Sequence, residues 1–206
     1  MLAPALRGEY KERMAEKLKI LIADDESIIR MDIRETLEGA GHTVIAEAGT
    51  GREALNLVEP LRPDVVLLDV KMPDLAGLAA AERIGAAKIA PVVLLTAYQD
   101  REYVERARAA GTHMFLVKPF KEEELLAALE MAVARFEEVR ALEAELSDLK
   151  DKFETRKLVD KAKGVLMDTY KLKESEAFRL IQKRSMDERK ALSAVAQEIL
   201  TKAKTR

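Results

Sequence analysis

The sequence predicts an α/β fold: a doubly wound, five-stranded parallel sheet in the order 2-1-3-4-5, followed by a helical linker and a small three-helix bundle. Three observations carry this. Five short apolar, β-branched runs alternate with segments of helical period as far as Phe120, all strand signals stop there, and the rest of the chain is helical in pattern.

The runs are KILIA (19–23), TVIAEA (43–48), DVVLLD (64–69), PVVLLT (91–96) and MFLVKP (114–119), each short enough for a buried strand. Between them SIIRMDIRETLEGA from Ser27, GREALNLVE from Gly51, LAGLAAAERIG from Leu75 and REYVERARAAG from Arg101 repeat apolar residues every three to four positions, as one buried helix face requires. Gly41, Gly85 and Gly111 stand near the ends of three of these helices, where a left-handed cap is common. The alternation implies right-handed crossovers and functional loops at the carboxyl ends of the strands.

From Lys121 the helical pattern runs without Gly or Pro through Phe153. Val139, Leu142, Leu146, Leu149 and Phe153 are spaced 3, 4, 3 and 4, an a/d seam with charged flanks. It is shorter than a secure coiled coil, so two readings stand: a dimerising coil, or a single helix packing the seam on its own C-terminal domain. Three apolar faces follow: Leu158, Val159, Ala162, Val165 and Leu166; Ala177, Phe178, Leu180 and Ile181; and Leu192, Val195, Ala196, Ile199 and Leu200. Ser185-Met186-Asp187-Glu188 has the capping-box pattern, which predicts that the last helix starts at Ser185.

Composition narrows the chemistry. The 206 residues suit one well-packed domain plus a smaller unit, and 35% charged against 4% aromatic residues favours helix surfaces over a β-sandwich. The absence of cysteine excludes disulfides and thiolate metal sites, and two isolated histidines, His42 and His113, speak against an imidazole site. With no leader-like or membrane-length apolar run, the expectation is a cytoplasmic protein that does not engage membranes. From Glu154 onward 14 Lys and Arg stand against 8 Asp and Glu, a balance of +6, which leaves -8 for the remainder. A basic tail suits a polyanion or an acidic protein face, and equally a solvated helical surface.

The ends of the strands hold the chemistry. Strand one ends in Ala23-Asp24-Asp25-Glu26 and strand three in Asp69, and in this strand order those two are neighbours at the switch point. Crowded carboxylates repel unless a cation sits between them, and oxygen-only ligands suit Mg²⁺. Thr96 at the end of strand four adds a hydroxyl, and Lys118 at the end of strand five adds an ammonium before Pro119, across a peptide bond that is a candidate for the cis form. Such a set can transfer a phosphoryl group to the carboxylate itself. Singly, each residue has a plainer reading: Asp24 and Asp25 as helix caps, Thr96 satisfying a backbone group, Phe115 as core. A haloacid-dehalogenase-type site would want a second Asp two residues after Asp69, where Lys71 stands.

DD at the first strand end, LLDVKMPD at the third, LLTA at the fourth and LVKPF at the fifth resemble the receiver domain of two-component response regulators, over residues 17–136. The resemblance implies a flavodoxin-like fold in which Asp69 accepts a phosphoryl group from a sensor histidine kinase. It further implies that Asp25, Asp69 and the backbone carbonyl of Lys71 hold Mg²⁺, with Asp24 helping through water. Thr96 and Lys118 would bind the phosphoryl oxygens, and Phe115 would be the aromatic that changes rotamer on activation. Ala76 departs from a position that is often polar in receivers, and Tyr98 sits where it could slow water attack on the acyl phosphate.

After a helical linker over 137–153, RKLVDKAKGVLM, ESEAFRLIQKRSM and AVAQEIL resemble the ANTAR domain, a three-helix RNA-binding module of antitermination regulators, here over 154–206. The resemblance implies binding of paired RNA hairpins, commonly by a dimer, here a homodimer formed on phosphorylation. Lys161, Lys163, Arg179, Lys183 and Arg184 are the phosphate-contact candidates. Gly164, costly inside a helix by about 1 kcal/mol, marks a close approach by RNA or by a neighbouring helix, including one of its own bundle. Lys173 stands where the family tends to have a Ser or Thr cap, and Leu180 where it often has Trp. The expected function is a phosphorylation-dependent regulator that binds RNA hairpins to control termination or translation, with no catalysis beyond its own phosphorylation and slow dephosphorylation. A DNA-binding output and a pure interaction or dimerisation module are the alternatives.

Overall fold

The five apolar runs of the computed structural model, which describes residues 17–73, 77–97 and 114–204, form one parallel sheet. The elements are β1 (Lys19–Ala23), α1 (Ser27–Gly39), β2 (Thr43–Ala48), α2 (Gly51–Leu61), β3 (Val65–Asp69), α3 (Gly77–Ala86), β4 (Val92–Ala97), β5 (Met114–Lys118), α4 (Glu122–Tyr170), α5 (Glu174–Glu188) and α6 (Leu192–Lys204). The order across the sheet is β2-β1-β3-β4-β5, as expected. The helix expected from Arg101, its Gly111 cap, Ala76, Tyr98 and His113 lie outside the described residues.

The sheet is buried on both faces, which is why its central strands read as unbroken apolar runs rather than alternating ones. Leu21, Ala23, Val66, Leu68 and Leu94 pack on Ala54 and Val58 of α2 and on Ala80, Ala81 and Ile84 of α3. Their strand neighbours Ile20, Ile22, Val65, Leu67, Val93 and Leu95 pack on Ile33 and Leu37 of α1 and on Leu125, Ala128, Leu129 and Val133 of α4. Alternate residues serve opposite layers, so a one-residue slip of β3 would exchange both cores. That register sets Asp69 opposite Leu95, one residue before Thr96, and Lys118 opposite Ala97.

The chain divides into two compact units, at Val139 and Arg140. In the second, Val159, Ala162 and Leu166 of α4, Ala177 and Ile181 of α5, and Val195, Ala196 and Ile199 of α6 form a separate core. Phe178 and Leu180 depart from the expected core face and are exposed. At about 100° per residue they fall on opposite flanks of the Ala177–Ile181 stripe, and two neighbouring helices cover only its centre.

Two cap expectations are corrected. Ser185 does not start the last helix: it lies in the final turn of α5, where its hydroxyl donates to the Lys190 carbonyl at 2.6 Å and its carbonyl accepts the Lys190 N–H. The helix ends at Arg189, which is left-handed at φ 52° without being glycine, and α6 begins at Leu192. The left-handed residue after α3 is Lys88 (φ 51°), not Gly85, whereas Gly41 does close α1 at φ 92°. Lys173 offers α5 no side-chain acceptor, yet Glu176 compensates by accepting the Lys173 N–H at 2.8 Å.

Candidate phosphoryl-acceptor site and basic bundle

Three strand ends deliver the polar cluster. Asp24, fully buried just after β1, and Asp69, 7% exposed at the tip of β3, face the same ammonium from β5. Lys118 Nζ donates to Asp24 Oδ2 at 2.5 Å and to Asp69 Oδ1 at 2.7 Å. The other oxygens are satisfied by backbone: Asp69 Oδ2 accepts the Lys71 N–H at 2.7 Å, and Asp24 Oδ1 accepts the Glu26 N–H at 3.0 Å. Asp24 therefore shapes the turn into α1, while the N-cap residue Glu26 makes no side-chain cap. Thr96 is buried on β4 with its hydroxyl on the Ala97 carbonyl at 3.3 Å. Asp25 and Lys71 are exposed, and Phe115 on β5 is 37% exposed rather than core. The Lys118–Pro119 peptide is cis.

Burial raises the Asp69 pKa above the ordinary carboxylate range, and the Lys118 bond and charge offset only part of it. Burial alone would lower Lys118, but its bonds to Asp24 and Asp69 outweigh that and hold the ammonium protonated. The site thus keeps a carboxylate whose negative charge burial makes costly beside a fixed cation.

The donors fit a hard divalent cation in kind, being carboxylate and carbonyl oxygens only. Among the described residues no three acidic or imidazole side chains are gathered into a ready metal cluster, and Lys118 offsets one of the two charges of the Asp24–Asp69 pair. Asp25, beside the pair and facing solvent, and the carbonyl of Lys71 are the groups left to complete one.

Two supports escaped sequence reasoning. Arg30 on α1 donates from Nη1 to the Asp24 carbonyl at 2.6 Å and from Nε to Glu47 at 3.1 Å, and Arg34 pairs with the same Glu47. The signal was there: Glu47 is a charge inside a strand, and the two arginines are one helical turn apart. Gly77, whose N–H bonds the Val70 carbonyl, is the other. A Cβ at Gly77 would stand 1.7 Å from the Asp69 carbonyl oxygen and 2.8 Å from its carbon, and backbone cannot step aside as a side chain can. Gly77→Ala is expected to cost about 1–3 kcal/mol of stability, read by urea unfolding; a wild-type value would remove Gly77 from the supports of the Asp69 turn.

In the helical bundle the basic candidates separate into two groups. Lys163 bonds Asp160 and Glu174, both at 2.7 Å. Arg184 bonds Glu188 at 2.6 Å and Glu198 at 2.5 Å, and Lys190 bonds the same two carboxylates, so four charges tie the end of α5 to α6. Arg184 and then Lys190 hold the Glu188 pKa down to about 2. Lys161, Arg179 and Lys183 are exposed and make no ion pair among the described residues. An added Cβ at Gly164 would meet no atom beyond its own helix backbone within 4 Å, so crowding within its own bundle does not require glycine there. The seam of the linker is uncovered as well, with Leu142, Leu146, Leu149 and Phe153 all more than half exposed, so it does not pack on its own C-terminal domain. No helix among the described residues is long and apolar enough to cross a membrane.

The model of the response regulator receiver domain matches residues 20–130, and that of the ANTAR domain matches residues 147–200. The transcriptional regulatory protein PdtaR of Mycobacterium tuberculosis is 47% identical over 182 residues, 88% of this chain and 89% of its own. The chemotaxis protein CheY of Thermotoga maritima is 35% identical over 114 residues, 54% of this chain and 93% of its own. Among solved structures, the receiver domain of a modulated diguanylate cyclase from Desulfovibrio desulfuricans superposes with a TM-score of 0.56 at 29% identity, over 59% of this chain and 98% of that one. CheY4 of Vibrio cholerae does so at 0.53 and 33%, over 57% and 99%.

Proposed function

The chain belongs to the response regulators that join a receiver domain to an ANTAR output, and we propose that phosphorylation of Asp69 by a sensor histidine kinase controls binding of RNA hairpins by its basic bundle. The observation that carries the first half is the Asp69 carboxylate, nearly buried yet bonded through one oxygen to Lys118 and through the other to the Lys71 amide. Asp25, Asp69 and the Lys71 carbonyl would hold Mg²⁺, with Asp24 assisting through water. The cation would supply charge neutralisation for the incoming phosphoryl oxygens. Asp69 attacks the phosphorus, the kinase imidazole leaves, and Lys118 moves from bridging two carboxylates to sharing a phosphoryl oxygen. Thr96, one residue beyond the β3 pairing, offers its hydroxyl to the same group and so links arrival to the β4 end. The added charge of about -2 reaches the β4–β5 edge where Phe115 lies half out. The chain acts on no other substrate in this reading, and its target process is termination or translation downstream of the bound hairpins.

The bundle half is supported by the free cations. Arg179 and Lys183 are one turn apart on the outer face of α5, and Lys161 is free on α4. Lys163 and Arg184, committed to two carboxylates each, serve the bundle rather than the ligand. Titrating paired-hairpin RNA, a scrambled RNA and duplex DNA at one salt concentration tests the reading; equal affinity for all three would sink it. Arg179→Ala and Lys183→Ala are each expected to reduce the slope of log affinity on log salt by about 1. Lys163→Ala and Arg184→Ala are expected to leave the slope in place and lower the unfolding midpoint of the bundle instead. The opposite assignment of slope and midpoint would reverse the split.

A further inference from the structure

We propose that a cavity between the three helices of the bundle takes one unpaired base from the loop of a bound RNA hairpin, with Tyr170 as the residue on which the base stacks. This rests on the RNA-binding reading above and adds to it the place where a base, rather than the phosphate chain, is held. The cavity has a volume of about 840 Å³ and is walled by Val165 of α4, Leu180 of α5, and Ile199 and Ala203 of α6. That volume lies inside the range of roughly 300–1,000 Å³ that holds small organic groups. Tyr170, the last residue of α4, lines it too, and Tyr170 and Leu180 remain 60% and 45% exposed. An aromatic face and an aliphatic side chain from two helices are therefore open to one space. Arg184 adds a flat wall. Its guanidinium is held by Glu188 and Glu198, so it offers the cavity its plane while its charge is already answered.

Charge identifies the occupant. Lys202 of α6 lines the cavity, Lys161 stands one turn before Val165, and Lys183 lies three residues after Leu180, so each helix brings one exposed lysine to its border. None of the three forms an ion pair among the described residues. The groove at Phe178 and Leu192 differs: its Lys152 is paired with Asp148, its Lys163 with Asp160 and Glu174, and Asp151 adds negative charge. A nucleotide joins a flat, largely apolar base to an anionic phosphate, and these two halves match the aromatic wall and the lysine border. A purely apolar ligand would leave the lysines unused, and a paired RNA helix, whose bases are stacked inside it, would leave the cavity unused. Splayed loop bases are the part of an RNA that side chains can stack on. Thr169 and Tyr170 offer hydroxyls that donate or accept, which suits the edge of any base, so the cavity asks for an unpaired base more than for a particular one.

The full-length protein is titrated with a paired-hairpin RNA and with copies of it in which each loop base in turn is replaced by an abasic residue. The expected result is a loss of affinity of about 10-fold at one loop position and smaller losses elsewhere. Tyr170→Ala, at an exposed position outside the bundle core, is expected to bind the intact hairpin about 10-fold more weakly and to lose nothing more when that base is absent. Its slope of log affinity on log salt is expected to stay that of the wild type, and Tyr170→Phe to bind as the wild type does. Wild-type affinity in Tyr170→Ala, or losses that multiply when this variant meets the abasic hairpin, would overturn the proposal. Preference for the paired hairpin over scrambled RNA and duplex DNA without any dependence on Tyr170 removes the base pocket alone. Equal affinity of the wild type for all three removes the RNA reading, and the pocket with it.

Discussion

Asp69→Asn is expected to take up no phosphoryl group from acetyl phosphate and Mg²⁺, and the wild type to become labelled. The amide keeps the shape and still accepts the Lys71 N–H, but it has no anionic oxygen to attack phosphorus at neutral pH. Loss of labelling is therefore expected to be complete, with the fold intact. Labelling that persisted would move the acceptor to Asp24 or Asp25. Stability supplies a second readout. Because burial raises the folded-state pKa of Asp69, folding disfavours its charge. The proton is held more tightly in the folded than in the unfolded chain, so this contribution is fully present below the ordinary carboxylate pKa and is lost as pH rises through the raised value. In magnesium-free buffer the variant, which carries no such charge, is expected to melt above the wild type at neutral pH and to converge with it in acid. A variant that melted lower at neutral pH would mean that the Lys118 bond outweighs the burial of the charge.

The sequence made the strand ends legible because a parallel sheet buried on both faces leaves little room for polar residues except there. Asp24, Asp69, Thr96 and Lys118 each interrupt or close an apolar run, and the strand order brings the first two to the ammonium of the last. What stayed hidden depends on partners distant in sequence or on backbone approach. Arg30 is one charge among several on α1 until β2 brings Glu47 beside it, and Gly77 looks like any glycine before a helix until the Asp69 carbonyl is found against it. The basic candidates of the bundle were legible only as a set. Nothing local distinguishes Lys183 from Arg184; their neighbours do, since Glu198 arrives from α6 to meet one and not the other. Ser185 misled for a related reason. Its capping-box pattern was sound as a pattern, but the hydroxyl found the Lys190 carbonyl after the helix instead of an N–H ahead of it.

Lys118→Ala is expected to do the greatest damage to the receiver unit. The ammonium is the shared cation of two carboxylates, one fully buried and one nearly so. Removing one partner of a buried ion pair leaves uncompensated charge and costs on the order of 3 kcal/mol. Lys118 is itself 20% exposed, so water entering the gap returns part of that. A fall of more than about 5 °C in melting temperature is the expected result in magnesium-free buffer. Lys118→Arg keeps the charge but replaces a compact ammonium with a planar fork, and it should recover only part of the loss. Magnesium discriminates further. In the wild type the ammonium offsets one of the two carboxylate charges, so added Mg²⁺ is expected to raise the melting temperature only modestly. In Lys118→Ala the same carboxylates are free to use the cation, and the rise should be larger. If the proposed function holds, labelling of Asp69 is expected to continue in this variant, because the nucleophile is intact, and the response of hairpin binding to acetyl phosphate to be lost. A Lys118→Ala protein as stable as the wild type without magnesium would show that the pair is neutralised by protonation rather than by Lys118, and the electrostatic account of the site would have to be rebuilt on Asp69 in its neutral form.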